Sequence, residues 1–402
     1  MFKRQKYRSL SAVDLGMVTV ALKKNNEQAP EFENLKGVVE DFVRDAKVSH
    51  LEIDLATALR AVASLLTKRF LIFTGLSGSG KTKLAQAFAA WICESDTQYR
   101  VVAVGADWTT NENLLGYQDA LAPEMYRKPS NGSLDLMLRA RDDLSRPYFL
   151  ILDEMNLSHV ERYFADMLSS IESSKSMALH SAAEDLPGRI GDTLLVPAQM
   201  SLPQNLFIIG TVNVDETTYT FSPKVLDRAN VIEFRVSAAQ ISKFLDNPRS
   251  VQMDSLAHKG AGYGAAFVVT AASDAPALAS LDTSIHPDGA QCAADLKARL
   301  VEAFHALTPI GAEFGFRSAF EISRFVGFHA VLTGPGWQFH DALDAQVLQK
   351  LLPKLHGSER RLRPVLDVLQ KFCSDHQCPA SLEKIMRMQD RLKDGFTSFA
   401  EA

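Results

Sequence analysis

Apolar residues fall into five short, near-continuous runs: "RFLIFTG" near residue 70, "YRVVAVG" near 100, "PYFLILDE" near 150, "NLFIIGTVN" near 208 and "NVIEFRV" near 232. Unbroken runs of this length predict strands buried on both faces of a parallel sheet, because a half-exposed strand would alternate. Between them the period changes. "KTKLAQAFAAWICES" sets Leu84, Phe88 and Ile92 at i, i+4, i+8, and "HVERYFADMLSSIESS" sets Val160, Phe164 and Leu168 likewise. Each predicts a helix with one apolar stripe facing the sheet. Alternating strands and helices predict an α/β layered domain over residues 50–236. The Ala-, Gly- and Ser-rich stretch around 250–295 reads as a partly flexible connection or insertion. From residue 296 the pattern is helical without strand candidates. The expected organisation is an N-terminal extension (1–49), an α/β domain (50–236), a connection (237–295) and a small helical domain (296–402).

Composition narrows the class. The 402 residues are 46% hydrophobic and 23% charged, with a net charge of -5. That balance argues against coating nucleic acid through bulk charge, and leaves a local basic groove open. Cys93, Cys292, Cys373 and Cys378 are too scattered for a disulfide framework and fit a reducing cytoplasm. Cys373, His376 and Cys378 cluster, but a structural zinc site takes four ligands and no fourth stands nearby. No apolar run reaches the roughly 18 residues of a membrane span. The basic start mimics a signal peptide, yet Asp14 interrupts its apolar stretch; a cytoplasmic protein with a mobile basic tail is expected.

The chemistry concentrates where strands end. After the first run, Gly75-Leu-Ser-Gly-Ser-Gly80-Lys81-Thr82 fits G-x-x-x-x-G-K-[ST] and opens a helix. Glycines let backbone N–H groups wrap phosphates, and the helix N-terminus adds partial positive charge. This assigns Gly75, Ser77, Gly78, Ser79, Gly80, Lys81, Thr82 and Lys83 to nucleotide binding, with Lys81 on the β- and γ-phosphates and Thr82 on Mg²⁺. The third run ends in Asp153 and Glu154. Two carboxylates at a strand's carboxyl end suit a metal-held triphosphate, Asp153 in the magnesium shell and Glu154 polarising water. The fourth run ends in Asn213, an amide placed to sense the γ-phosphate or the lytic water. Arg228 precedes the fifth run. It is either a finger completing a neighbouring subunit's site or a surface salt bridge to Asp227 or Glu233.

Long phrases carry a resemblance. "ILDEMNLSHVERYFADMLSSIE", "VPAQMSLPQNLFIIGTVNVDETTYTFSPKVLDRANVIEF" and "LPKLHGSERRLRPVLDVL" resemble the McrB-like branch of AAA+ ATPases, motor subunits of modification-dependent restriction and phage-defence systems. The resemblance implies an AAA+ P-loop NTPase core with a five-stranded parallel sheet, followed by a small all-α lid. It implies Walker A at Gly75, Gly80, Lys81 and Thr82, Walker B at Asp153 and Glu154, and sensor 1 at Asn213. In "FGFRSAFEISRF" it points to Arg317 as the lid residue that touches phosphate. It further implies a hexameric ring acting with a separately encoded PD-(D/E)xK nuclease, with DNA met through the complex. "VNVDETT" lacks the arginine of the branch's "MNTADRS"-like loop. Some fifty residues before the motor are too few for a modified-base-reading domain. The branch's namesake uses GTP and most AAA+ proteins use ATP; ATP with Mg²⁺ is expected here, GTP being the alternative. A MoxR-like protein-remodelling ATPase and a nucleotide-dependent assembly switch are the competing functions. Trp108 and the Gly116-Tyr117 pair stand either at a ring pore or in a local core. Residues 178–198 read as an inserted hairpin with Pro187-Gly188 at or near its turn and no basic face of its own.

Overall fold

A computed structural model describes residues 32–173, 175–214, 221–400 and 402. The first thirty-one residues, which include most of the expected basic tail, and residues 215–220 of the "VNVDETT" loop lie outside the described residues. The five apolar runs form β1 (Phe70–Gly75), β2 (Tyr99–Ala103), β3 (Tyr148–Asp153), β4 (Leu206–Asn213) and β5 (Asn230–Phe234). They make one parallel sheet in the order β2-β3-β4-β1-β5. The helices are α1 (Val38–Val48), α2 (Leu55–Thr67), α3 (Lys81–Ile92), α4 (Ser133–Asp142), α5 (Ala165–Ser173) and α6 (Ala238–Asp246). They continue as α7 (Gly264–Ala272), α8 (Gly289–Leu307), α9 (Phe316–Thr333), α10 (Phe339–Gln346), α11 (Glu359–Asp375) and α12 (Pro379–Arg391).

Successive side chains of β1, β3 and β4 enter two different cores, so these strands are apolar throughout. The two edge strands depart from the unbroken burial expected: Arg100, Val101 and Ala103 of β2 are exposed, and Glu233 and Phe234 of β5 are half-buried. One face is covered by α1, α2, α3 and α7. There Phe207 lies 5.3 Å from Phe149 and 4.9 Å from Phe267, and Phe88 meets both outer rings at 5.9 Å. Each ring pair adds about 0.5–1.5 kcal/mol beyond area burial.

Phe267 belongs to the stretch expected as a partly flexible connection. Its small residues instead allow close packing. Gly260 lies so near Trp91 that a Cβ would fall 2.4 Å from the indole, and the Gly260 N–H donates to the Trp91 carbonyl at 2.8 Å. The helix expected through Val160, Phe164 and Leu168 breaks at Phe164 into Val160–Tyr163 and α5, with all three side chains still buried.

The chain ends in helices α8 to α12, plus one antiparallel ladder pairing His356–Ser358 with Phe396–Ser398. Strands of three residues leave no readable period. The helical region is docked onto the α/β layer by buried charge. A π-helical turn, Val347–Leu351, drives Lys350 beneath the start of β5. Its Nζ donates to the carbonyls of Asp227 (3.0 Å) and Ala229 (2.9 Å) and pairs with Glu321 at 2.8 Å. Lys68, just past α2, pairs with the same carboxylate, and Lys354 reaches the Asp227 carboxylate at 2.5 Å.

Burial alone would raise the Glu321 carboxyl, but Lys350 and Lys68 outweigh it and hold it below its ordinary 4.5. Burial, then the Lys350 cation, bring Lys68 down to about 7. A carboxylate depressed in the folded state stabilises above its unfolded pKa, and that contribution fades as pH falls through the folded value. Glu321→Gln therefore takes the carboxylate from buried Lys350 and from Lys68 and is expected to cost about 3–5 kcal/mol at neutral pH. The gap to wild type should narrow below pH 4.5, and urea unfolding across that range measures it.

Candidate functional site

The register of the sheet assembles the site. Gly75 of β1 pairs with Asn213 of β4 on one side and Phe234 of β5 on the other, while Leu152 of β3 pairs with Gly210. Asp153, Thr211, Asn213 and Gly75 thus share the carboxyl edge, where α/β sheets bind ligands. Gly75 is demanded twice: its φ is 154° and a Cβ would meet the Phe234 carbonyl oxygen at 2.3 Å. Gly78 and Gly80 have open space around them but sit at φ 74° and 94°, left-handed positions that side chains rarely adopt. Gly80 directly precedes α3.

Buried Lys81 donates to the carbonyls of Gly75 (2.9 Å) and Leu76 (2.6 Å) and to the Ser79 hydroxyl (3.2 Å). Thr82, in the first turn of α3, donates to Asp153 Oδ1 at 2.5 Å. Thr211 donates to that same oxygen at 2.7 Å and accepts the Glu154 N–H at 3.1 Å. Glu154 stands at φ 54°, ψ 47°, a left-handed conformation costing on the order of 1–3 kcal/mol outside glycine. Its Oε1 accepts from Asn213 Nδ2 at 3.2 Å, and Asn156 Nδ2 donates to the Asn213 carbonyl at 3.2 Å. Ser77 and Lys83 are exposed on the loop and the first helical turn. The Thr82 hydroxyl and Asp153 carboxylate form an oxygen pair that suits a hard divalent cation such as Mg²⁺.

Two expected residues gather elsewhere. Arg228 forms an ion pair with Glu172 of α5 and donates to the Lys224 carbonyl at 2.6 Å. Arg317 pairs with the same Glu172 at 2.6 Å. Neither anion expected for a local Arg228 salt bridge takes it: Asp227 is held by Lys354, and Glu233 by Lys384 and Arg387. Burial, then the Arg317 cation, lower the Arg228 pKa from its ordinary value. Arg317 is likewise held by a carboxylate. Trp108 is a core residue, its ring 5.4 Å from Tyr163, whereas Tyr117 is half exposed. His376 bonds Glu302 at 2.9 Å, with Cys373 and Cys378 buried nearby.

Sequence reasoning missed Thr211, although the signal was present: strand period two puts it on the face of Asn213, and the register puts it beside Asp153. Glu172 gave no signal.

Similarity to known proteins agrees with the fold. A crystal structure of a "putative ATPase" from Cytophaga hutchinsonii aligns over 84% of this chain and 90% of its own, with TM-score 0.52 and 13% identity. At that identity the likeness speaks for fold alone. The ADP complex of Hsp104 from S. cerevisiae aligns over 58% of this chain and 45% of its own, at TM-score 0.32 and 17% identity. Residues 277–396 match a family described as "Domain of unknown function (DUF8727)". No curated protein matches the chain. The likeness agrees with the α/β fold class, a five-stranded parallel core followed by a helical region.

Thr211→Val deletes the hydroxyl that Asp153 and the Glu154 N–H share, and should destabilise by about 1–3 kcal/mol. Thr211→Ser keeps both bonds and should restore the loss in thermal unfolding.

Proposed function

We propose that this chain is a ring-forming AAA+ nucleoside triphosphatase that hydrolyses ATP and powers or gates a separate partner nuclease in DNA restriction. The observation carrying the hydrolase reading is the convergence of Thr82 and Thr211 on one oxygen of Asp153, beside a glycine loop and a Glu154–Asn213 pair. Lys81 and the backbone of residues 75–82 would bind the phosphates, and Thr82 and Asp153 would hold Mg²⁺. Bound Mg²⁺ supplies charge neutralisation on the triphosphate.

Glu154 then orients a water toward the γ-phosphorus and draws its proton as the new O–P bond forms and the β–γ bridge breaks. Asn213 fixes the rotamer of Glu154, and the left-handed backbone aims it out of the sheet edge. In this reading Glu172 holds Arg228 and Arg317 within their own chain until subunits assemble. Arg228 then acts on a neighbour's site, a contribution on the order of 10³–10⁵ in rate. The nuclease and DNA part rests on the long phrases shared with the McrB-like branch, and ring assembly on the AAA+ fold.

Glu154→Gln is expected to keep nucleotide affinity while turnover falls on the order of 10²–10⁴. Lys81→Ala should lose binding itself. Equilibrium binding of a fluorescent nucleotide alongside phosphate release separates the two. If Glu154→Gln turns over at the wild-type rate, the assignment of the base is wrong. DNA cleavage by the chain mixed with the product of an adjacent nuclease gene, dependent on hydrolysable nucleotide, tests the second half. Turnover indifferent to both DNA and that protein would sink it.

A further inference from the structure

A concavity of about 510 Å³, lined by none of the P-loop cluster's residues, lies between the segment carrying Arg127 and Lys128, helix α4, and residues 188–194 of the hairpin. That volume is in the range of small-molecule sites. Six charged side chains line it: Arg127, Lys128, Asp135, Arg139, Arg189 and Asp192. The hairpin alone has no basic face. The fold supplies one by bringing three cations from elsewhere.

Lys128 is the hub of the construction. Its ammonium reaches Asp192 at 2.6 Å, Asp135 at 3.1 Å and the Leu194 carbonyl at 2.5 Å. The Asp192 carboxylate also accepts the N–H groups of Gly188 (3.2 Å) and Leu194 (3.1 Å), and the Tyr126 N–H donates to the Pro187 carbonyl at 2.9 Å. The Asp192 carboxylate is thus spent on Lys128 and on the shape of the hairpin, while Asp135, 43% exposed, pairs with the same lysine. Arg127 is neutralised by Asp119 at 2.6 Å. Arg139 and Arg189 are exposed, and their guanidinium groups make no hydrogen bond or ion pair with any described residue. Two guanidinium forks are therefore left uncompensated, one on α4 and one on the hairpin, lining the same hollow in a chain whose net charge is negative. Such forks match phosphate oxygens two at a time, and no aromatic side chain lines the hollow to stack a base.

We infer that this cavity binds the phosphates of an anion carrying at least two of them, with Arg139 and Arg189 as the recognising groups. The source is either the backbone of a nucleic-acid strand or a free polyphosphate. The inference does not rest on the proposed hydrolysis, since none of these residues belongs to the P-loop cluster.

The test uses the full chain with saturating Mg²⁺ and ADP, so that the P-loop is not the binding site read. Anisotropy of a short fluorescent single-stranded DNA is followed across salt concentrations for wild type and for the Arg139→Gln/Arg189→Gln double variant. The double variant should bind on the order of 100-fold more weakly, and the slope of log affinity against log salt should fall by about two. Tripolyphosphate should displace the strand from wild type. Binding of tripolyphosphate but not DNA, lost in the double variant, assigns a free polyphosphate as the source and upholds the site. Equal binding of both probes by wild type and double variant would overturn the inference, as would displacement by polyglutamate at the same charge concentration. Basal nucleotide hydrolysis should be unchanged in the double variant, so a failure here is distinct from a failure of the hydrolase reading.

Discussion

The parallel register of β3, β4 and β1 is the constraint on which the rest of the molecule depends. One hydrogen-bonded ladder sets Gly75 opposite Asn213, and the next sets Leu152 opposite Gly210. Shifted by one residue, Thr211 and Asn213 would face the wrong side of the sheet, and Asp153 would lose a hydroxyl partner. The register is in turn enforced by the core, because each central strand delivers alternate side chains into two apolar layers. The chemistry at the edge is a by-product of packing far from it.

A second dependence runs through buried charge. The carbonyls of Asp227 and Ala229 take the Lys350 ammonium, so the segment carrying Arg228 is held by the helical region rather than by its own strand. Removing a lysine from water costs several kcal/mol unless it is paired, and here Glu321 and two carbonyls meet it. Lys384 and Arg387 repeat the arrangement on Glu233, one residue before Phe234, whose carbonyl limits Gly75. The helical region is therefore joined by direct contacts both to the segment carrying Arg228 and, through Glu233, to the strand end beside Gly75. Glu172 adds a local hold, since one carboxylate carries both Arg228 and Arg317.

Much of this was legible in the sequence, for identifiable reasons. Strands buried on both faces have no alternation to misread, so the five apolar runs became the five strands. The glycine loop is legible because its dihedrals exclude other residues. Thr211 was overlooked because a threonine in a strand is ordinary; only its neighbour across the ladder makes it a partner of Asp153. The small residues near Gly260 suggested looseness, whereas their size permits contact with Trp91. The partners of Arg228 and Arg317 could not be read, since Glu172 lies 56 residues from one and 145 from the other. The basic cavity was hidden for the same reason, its cations coming from three separated segments.

The most direct measurement is ATP hydrolysis per protomer over a wide range of protein concentration, for wild type and Arg228→Ala. A site completed by a neighbouring chain predicts a specific rate that climbs with concentration. It also predicts that Arg228→Ala loses that rate while still binding nucleotide. A rate that is flat with concentration and untouched by Arg228→Ala would contradict the account.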